Sequence, residues 1–104
     1  MDVKISGRHV EITAAIRDYA TNKVAKLPRY FDRIQSIGVV ADRKDRTFEV
    51  ECIVQAAWAE PFVCKVTGQD LYACIDSAVD KLERQLTDHK GRVRHHKGRT
   101  SMSG

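Results

Sequence analysis

The segment 47–56 alternates so regularly that it admits one local structure. Phe48, Val50, Cys52, Val54 and Ala56 fall on one side of it, and Thr47, Glu49, Glu51 and Gln55 on the other. A period of two is the pattern of a β-strand with one dry face and one wet face. The same phase recurs three times. Val3 and Ile5 alternate with Lys4 and Ser6 up to Gly7; Ile37, Val39 and Ala41 alternate with Gly38, Val40 and Asp42; Phe62, Cys64 and Val66 alternate with Val63, Lys65 and Thr67 up to Gly68. Arg43-Lys44-Asp45-Arg46 reads as the hairpin turn between the second and third strands, and Glu60-Pro61 as the turn before the fourth.

Two other segments repeat at three- and four-residue steps instead. Thr13 is an N-cap for a helix from about 14 to 30, with Ile16, Ala20, Val24, Leu27 and Phe31 on its apolar stripe. Pro28 is its weak point, because a proline there removes a hydrogen bond and clashes backwards, so the helix kinks or ends early near Lys26. Asp70 caps the second helix, whose stripe is Leu71, Ile75, Ala78, Val79, Leu82 and Leu86, with Gly91 as its stop. From Arg92 onward there is no periodicity, and residues 98–104 are small and polar.

The order is therefore βαβββα. A sheet with one apolar face can take both helical stripes only on that face. The expected fold is an α+β two-layer sandwich, a four-stranded sheet with both helices on one side, over residues 1–92, followed by a basic, disordered tail over 93–104. At 104 residues the chain supports one core. No apolar run approaches the roughly 20 residues that span a bilayer, and Met1-Asp2-Val3-Lys4-Ile5 lacks the layout of a signal peptide. The expectation is a soluble cytoplasmic protein with no membrane association.

Charge is distributed unevenly. After residue 80, seven cations (Lys81, Arg84, Lys90, Arg92, Arg94, Lys97 and Arg99) face only Glu83 and Asp88, in a chain whose net charge is +4. Such asymmetry points to a polyanionic partner or to a solvated, solubilising end. With the apolar stripe set against the sheet, helix one points Asn22, Lys26 and Arg29 outward and carries Arg17 and Lys23 at its flanks. Helix two separates its signs: Lys81 and Arg84 lie on one flank with Ala73 and Ser77, and Asp76, Asp80 and Glu83 on the other. Two such helices side by side would offer a contiguous cationic surface to phosphates.

Catalytic chemistry finds little support. Cys52, Cys64 and Cys74 are an odd set without CxxC spacing, against a disulfide framework or a zinc knuckle. Cys52 and Cys64 fall in the apolar phase of paired strands and read as core thiols; Cys74, near a helix N-terminus, has no histidine placed beside it by spacing. His89, His95 and His96 lack the fixed spacing of a structural zinc site. No glycine-rich phosphate loop, paired-carboxylate signature or nucleophile elbow occurs, so no cofactor or metal is expected. Trp58 and Phe62 offer either a base-stacking platform or packing at the turn, and the scarcity of aromatics favours packing.

The run Gly68-Gln69-Asp70-Leu71-Tyr72-Ala73-Cys74-Ile75-Asp76, continuing through Asp80-Lys81-Leu82-Glu83-Arg84-Gln85-Leu86, resembles the second helix of the ribosome hibernation-promoting factors, also labelled sigma-54 modulation proteins. Val10-Glu11-Ile12-Thr13, Ile16-Arg17-Asp18-Tyr19, and Lys26-Leu27 before Tyr30-Phe31-Asp32-Arg33 are similar to that family's first helix and its boundaries. The likeness covers roughly residues 1–92. It implies a fold like a double-stranded-RNA-binding domain with an added strand, and binding to the small ribosomal subunit across the path of messenger RNA and the decoding-site transfer RNAs, which blocks translation under stationary phase or stress. It also implies 16S rRNA contacts at Lys23, Lys26, Lys81, Arg84 and Lys90, with Arg17, Arg29 and Arg92 beside them. The chain resembles the family's short form, a monomer off the ribosome, for which any pairing of ribosomes would need a separate modulation factor or a different mechanism. The older label implies an alternative, a transcription modulator working through contacts with a sigma factor or polymerase, and Cys74 leaves a thiol-dependent enzyme as a third reading.

Overall fold

In the computed structural model the backbone is described for residues 1–103 and side chains for residues 1–89. Strand β1 (Asp2–Arg8) leads through helix α1 (Ala14–Val24) and a 3-10 turn (Leu27–Arg29) to β2 (Ile34–Lys44), β3 (Thr47–Ala56), β4 (Phe62–Gly68) and helix α2 (Leu71–Ser103). The sheet order is β1-β2-β3-β4, with β1 parallel to β2 and the other pairings antiparallel. Both helices pack on one face, α1 against β1 and α2 against β3 and β4, and they touch each other. The α+β two-layer sandwich read from the alternation is the fold that forms.

Its core is the apolar phase of each element. Ile5, Ile37, Val39, Val50, Cys52 and Val54 from the sheet close against Ala20, Val24 and Leu27 on one side and against Leu71, Ile75, Val79, Leu82 and Leu86 on the other. Caps fix where the helices begin. The Thr13 hydroxyl accepts from the Ile16 amide at 3.2 Å, and Asp70 Oδ1 accepts from the Tyr72 amide at 3.0 Å, each satisfying a donor that helix geometry leaves free.

Two boundaries differ from the sequence reading. Helix α1 ends at Val24, and Pro28 enters the following 3-10 turn near its start, where its missing amide costs nothing. Helix α2 does not stop at Gly91 but runs to Ser103, since a glycine inside a helix costs only about 1 kcal/mol. Gly7 is required by proximity: a Cβ there would lie 2.5 Å from the Val10 carbonyl oxygen, where the chain after β1 folds back.

Trp58 is a correction of a different kind. Packing at the turn was expected, yet the side chain is 87% exposed and its backbone has φ 59°, a left-handed conformation that is costly for a bulky residue.

Leu82→Ala, at a site with no exposed surface, should lower unfolding free energy by about 2–5 kcal/mol. Gly7→Ala should cost about 1–3 kcal/mol through crowding. Urea titrations of both variants against the parent chain measure these losses.

Candidate nucleic-acid interface on the helical layer

Because the sheet has one dry face, α1 and α2 lie against each other, and their touching flanks carry polar groups that must find partners. They find them in each other. The Tyr19 hydroxyl donates to Asp76 Oδ1 at 2.6 Å, and Lys23 Nζ lies 3.3 Å from the same oxygen. Further along, Lys26 Nζ is 3.6 Å from Glu83 Oε2, and the Tyr30 hydroxyl stands near enough to the same carboxylate to influence its titration. Asp76 and Glu83 are seven residues apart, two helical turns, and so share one flank. The Tyr19 and Tyr72 rings meet edge to face, with centroids 4.9 Å apart, and the Lys23 ammonium sits 5.5 Å from the Tyr19 centroid.

Electrostatics follow from these contacts. The Tyr19 hydroxyl, with the Lys23 ammonium beside it, holds Asp76 below the ordinary carboxylate range, and Tyr30 and Lys26 do the same for Glu83. The reciprocal effects raise the Tyr19 and Tyr30 phenols and the Lys23 ammonium above their usual values. At neutral pH the two phenols therefore stay neutral, and Lys23, Asp76 and Glu83 stay charged.

Of the eight cationic positions singled out in the sequence, the six whose side chains are described do not converge on one groove. Lys23 and Lys26 lie between the helices and are paired with carboxylates. Arg17 turns toward the sheet edge, where Nη1 donates to the Ile5 carbonyl at 3.2 Å. Lys81 is exposed on the flank of α2 that faces β4, close enough for its charge to act on Cys64. Arg84 is exposed on the outer surface beside Asp80, Glu83, Thr87 and Asp88, and Arg29 is exposed in the 3-10 turn. Lys90 and Arg92 lie outside the residues whose side chains are described. Among the described residues, Arg17, Arg29, Lys81 and Arg84 make no ion pair. The helical layer is thus a mixed surface, a paired seam flanked by unpaired cations, with Asp76 and Glu83 in the space between the helices.

The cysteines are core groups. Cys52 and Cys64 are register partners on β3 and β4, and Cys64 Sγ donates to the Ala78 carbonyl at 3.2 Å. Hydrogen bonding to Cys64, together with burial, pushes the Cys52 thiol up. Burial and the Asp70 carboxylate raise Cys74, the opposite of what a thiolate nucleophile needs. His89 packs against Phe31 and Phe62 in an aromatic triangle with centroids 5.3–6.0 Å apart. Periodicity gave no sign of one further partnership, in which Asp42 accepts from or pairs with His9 Nδ1 at 3.0 Å across 33 residues.

Residues 3–94 match the family model described as sigma 54 modulation protein / S30EA ribosomal protein. The chain belongs to that family. It is 42% identical over 96 residues to a ribosome hibernation promoting factor of Escherichia coli strain K12, an alignment covering 92% of this chain and 100% of that one. It is 40% identical over 90 residues to a protein of the same name from Azotobacter vinelandii, covering 86% and 83%. Among solved structures, the Protein Y N-terminal domain of Thermus thermophilus superposes with a TM-score of 0.79 at 38% identity, covering 86% of this chain and 99% of that one. A ribosomal subunit interface protein from Coxiella burnetii superposes with a TM-score of 0.81 at 23% identity, covering 88% and 99%, and shows the same fold.

The seam makes stability depend on pH in a definite direction. Carboxylates whose folded pKa is lowered stabilise the fold above their unfolded value, about 4, and that contribution is lost as pH falls through the lowered folded values. Thermal melts should therefore show midpoints falling on acidification below about pH 4, and Asp76→Asn should flatten that acid limb. An acid limb unchanged by the substitution would contradict the seam's assignment.

Proposed function

We propose that this chain is a ribosome hibernation factor which binds the small ribosomal subunit at the messenger-RNA and transfer-RNA decoding region and inhibits translation by occupying it. What supports the reading is a layer of two helices that exposes unpaired Arg29, Lys81 and Arg84, in a chain whose relatives are named as hibernation promoting factors. Phosphate attraction is largely independent of base sequence, and arginine adds a two-pronged bond to one phosphate. In this reading 16S rRNA is contacted by Lys81, Arg84 and Arg29, with Arg17, Lys90 and Arg92 extending the surface, and the cations in the sequence of residues 93–104 add charge. Lys23 and Lys26 are held in place by Asp76 and Glu83 and reach phosphate from the seam. The protein acts stoichiometrically in the cytoplasm and is a monomer off the ribosome. No helix among the described residues is long and apolar enough to cross a membrane.

A transcription-modulating role through sigma factor or polymerase is favoured only by the older half of the family's description. It would be preferred if purified protein shifted polymerase and left ribosomes untouched.

Co-sedimentation with small subunits across a salt series tests the proposal. Neutralising about five phosphates gives a slope of log affinity against log salt near −3.5, taking the single-strand coefficient. Lys81→Glu with Arg84→Glu should abolish binding at moderate salt, and Glu83→Gln, which removes a carboxylate beside Lys26 and Arg84, should strengthen it. Full retention by the double variant would overturn the assigned surface.

A further inference from the structure

The end of the molecule where β3 turns into β4 carries an aromatic group that neither the core nor the helical seam uses. Trp58, the chain's single tryptophan, stands 87% exposed at the tip of that hairpin. Its neighbours Ala57 and Ala59 are too small to cover it. The indole is nonetheless held in position. The Arg33 guanidinium lies 4.8 Å from its ring centroid, and the Ala57 amide donates to the Arg33 carbonyl at 3.0 Å, tying the hairpin tip to the segment before β2. Its backbone adopts φ 59°, a conformation that glycine or asparagine would take with less strain. Neither exposure nor backbone serves stability at this position, so a folding role does not account for the residue.

The surroundings favour one kind of occupant. The 3-10 turn bearing Arg29 leads through Tyr30, Phe31 and Asp32 to Arg33, and α2 passes the same end, where Gln85 bonds the Val63 carbonyl and His89 packs on Phe62. Arg33 thus follows closely in the chain after the turn that bears the exposed Arg29, while Asp32 and Glu60 are the carboxylates nearest in sequence. One indole face is taken by a guanidinium and the other is open. A flat base joined through its sugar to a phosphate matches this pair: the base stacks on the open face while a phosphate of the same strand meets Arg33.

We infer that Trp58 and Arg33 form a stacking site for an unpaired nucleobase of RNA, a second contact that anchors the chain beyond the phosphate-binding helices. The inference rests on the ribosome-binding reading and adds a base-contacting residue to it.

Small-subunit co-sedimentation with Trp58→Ala, Trp58→Tyr and Trp58→Gly, each at several salt concentrations, provides the test, joined to ultraviolet cross-linking of the wild-type complex read by mass spectrometry. Loss of one stacked base corresponds to a weakening of roughly 5- to 150-fold. Trp58→Ala and Trp58→Gly should show it with an unchanged salt slope, Trp58→Tyr should recover most of the affinity, and Trp58→Gly should melt no lower than the parent. The peptide holding Trp58 should carry a nucleotide. Wild-type affinity in Trp58→Ala, or a cross-link from Trp58 to a ribosomal protein, would overturn the stacking site and leave the proposed function standing. Binding that survives Lys81→Glu with Arg84→Glu but fails in Trp58→Ala would support the stacking site and remove the helical surface. No binding by the wild-type chain would overturn both.

Discussion

Four strands that each bury one side and wet the other leave the chain a single dry surface, and both amphipathic helices have to share it. Everything on the outer layer follows from that crowding. Helices forced side by side cannot keep all their polar residues in open water, so the flanks that touch must satisfy one another. Tyr19, Lys23, Lys26 and Tyr30 from the α1 side meet Asp76 and Glu83 of α2. The flank of α2 turned away from α1 has no such obligation, and Lys81 remains there unpaired.

Half-exposed ion pairs contribute little to stability, about 0–1 kcal/mol each. What the seam provides is orientation: long, flexible lysines are held at fixed positions while they stay charged. In the proposed reading, unpaired cations around it supply the attraction to a polyanion, and the two carboxylates limit how strong that attraction becomes. A surface built this way binds through several modest contacts and weakens steeply with salt.

Much of this was legible in the residues. The alternation in Thr47–Ala56 marked the phase of β3 and put Cys52 and Cys64 on the same dry face, where the structure makes them register partners. Thr13 and Asp70 marked both helix starts, and the placement of Lys81 away from Asp76 and Glu83 was visible at 100° steps, whereas Arg84, expected on the same flank as Lys81, stands beside Asp80, Glu83 and Asp88. Which flank of α2 meets α1 was not legible, because it depends on where the chain places α1 relative to β3 and β4, a long-range property that local periodicity does not carry. For that reason a shared cationic groove was expected where ion pairs stand. The end of α1 at Val24 and the passage of α2 through Gly91 were missed because small propensity costs yield to context. The exposure of Trp58 was missed because nothing in Ala57-Trp58-Ala59 distinguishes a buried indole from one held out by a left-handed backbone.

The most direct measurement is a cryo-electron-microscopy map of the small ribosomal subunit with this chain bound. The account predicts that the helical layer faces rRNA, with Lys81 and Arg84 against phosphates and the open face of the sheet turned away. A map in which the strands face the RNA and the helices point to solvent would contradict it.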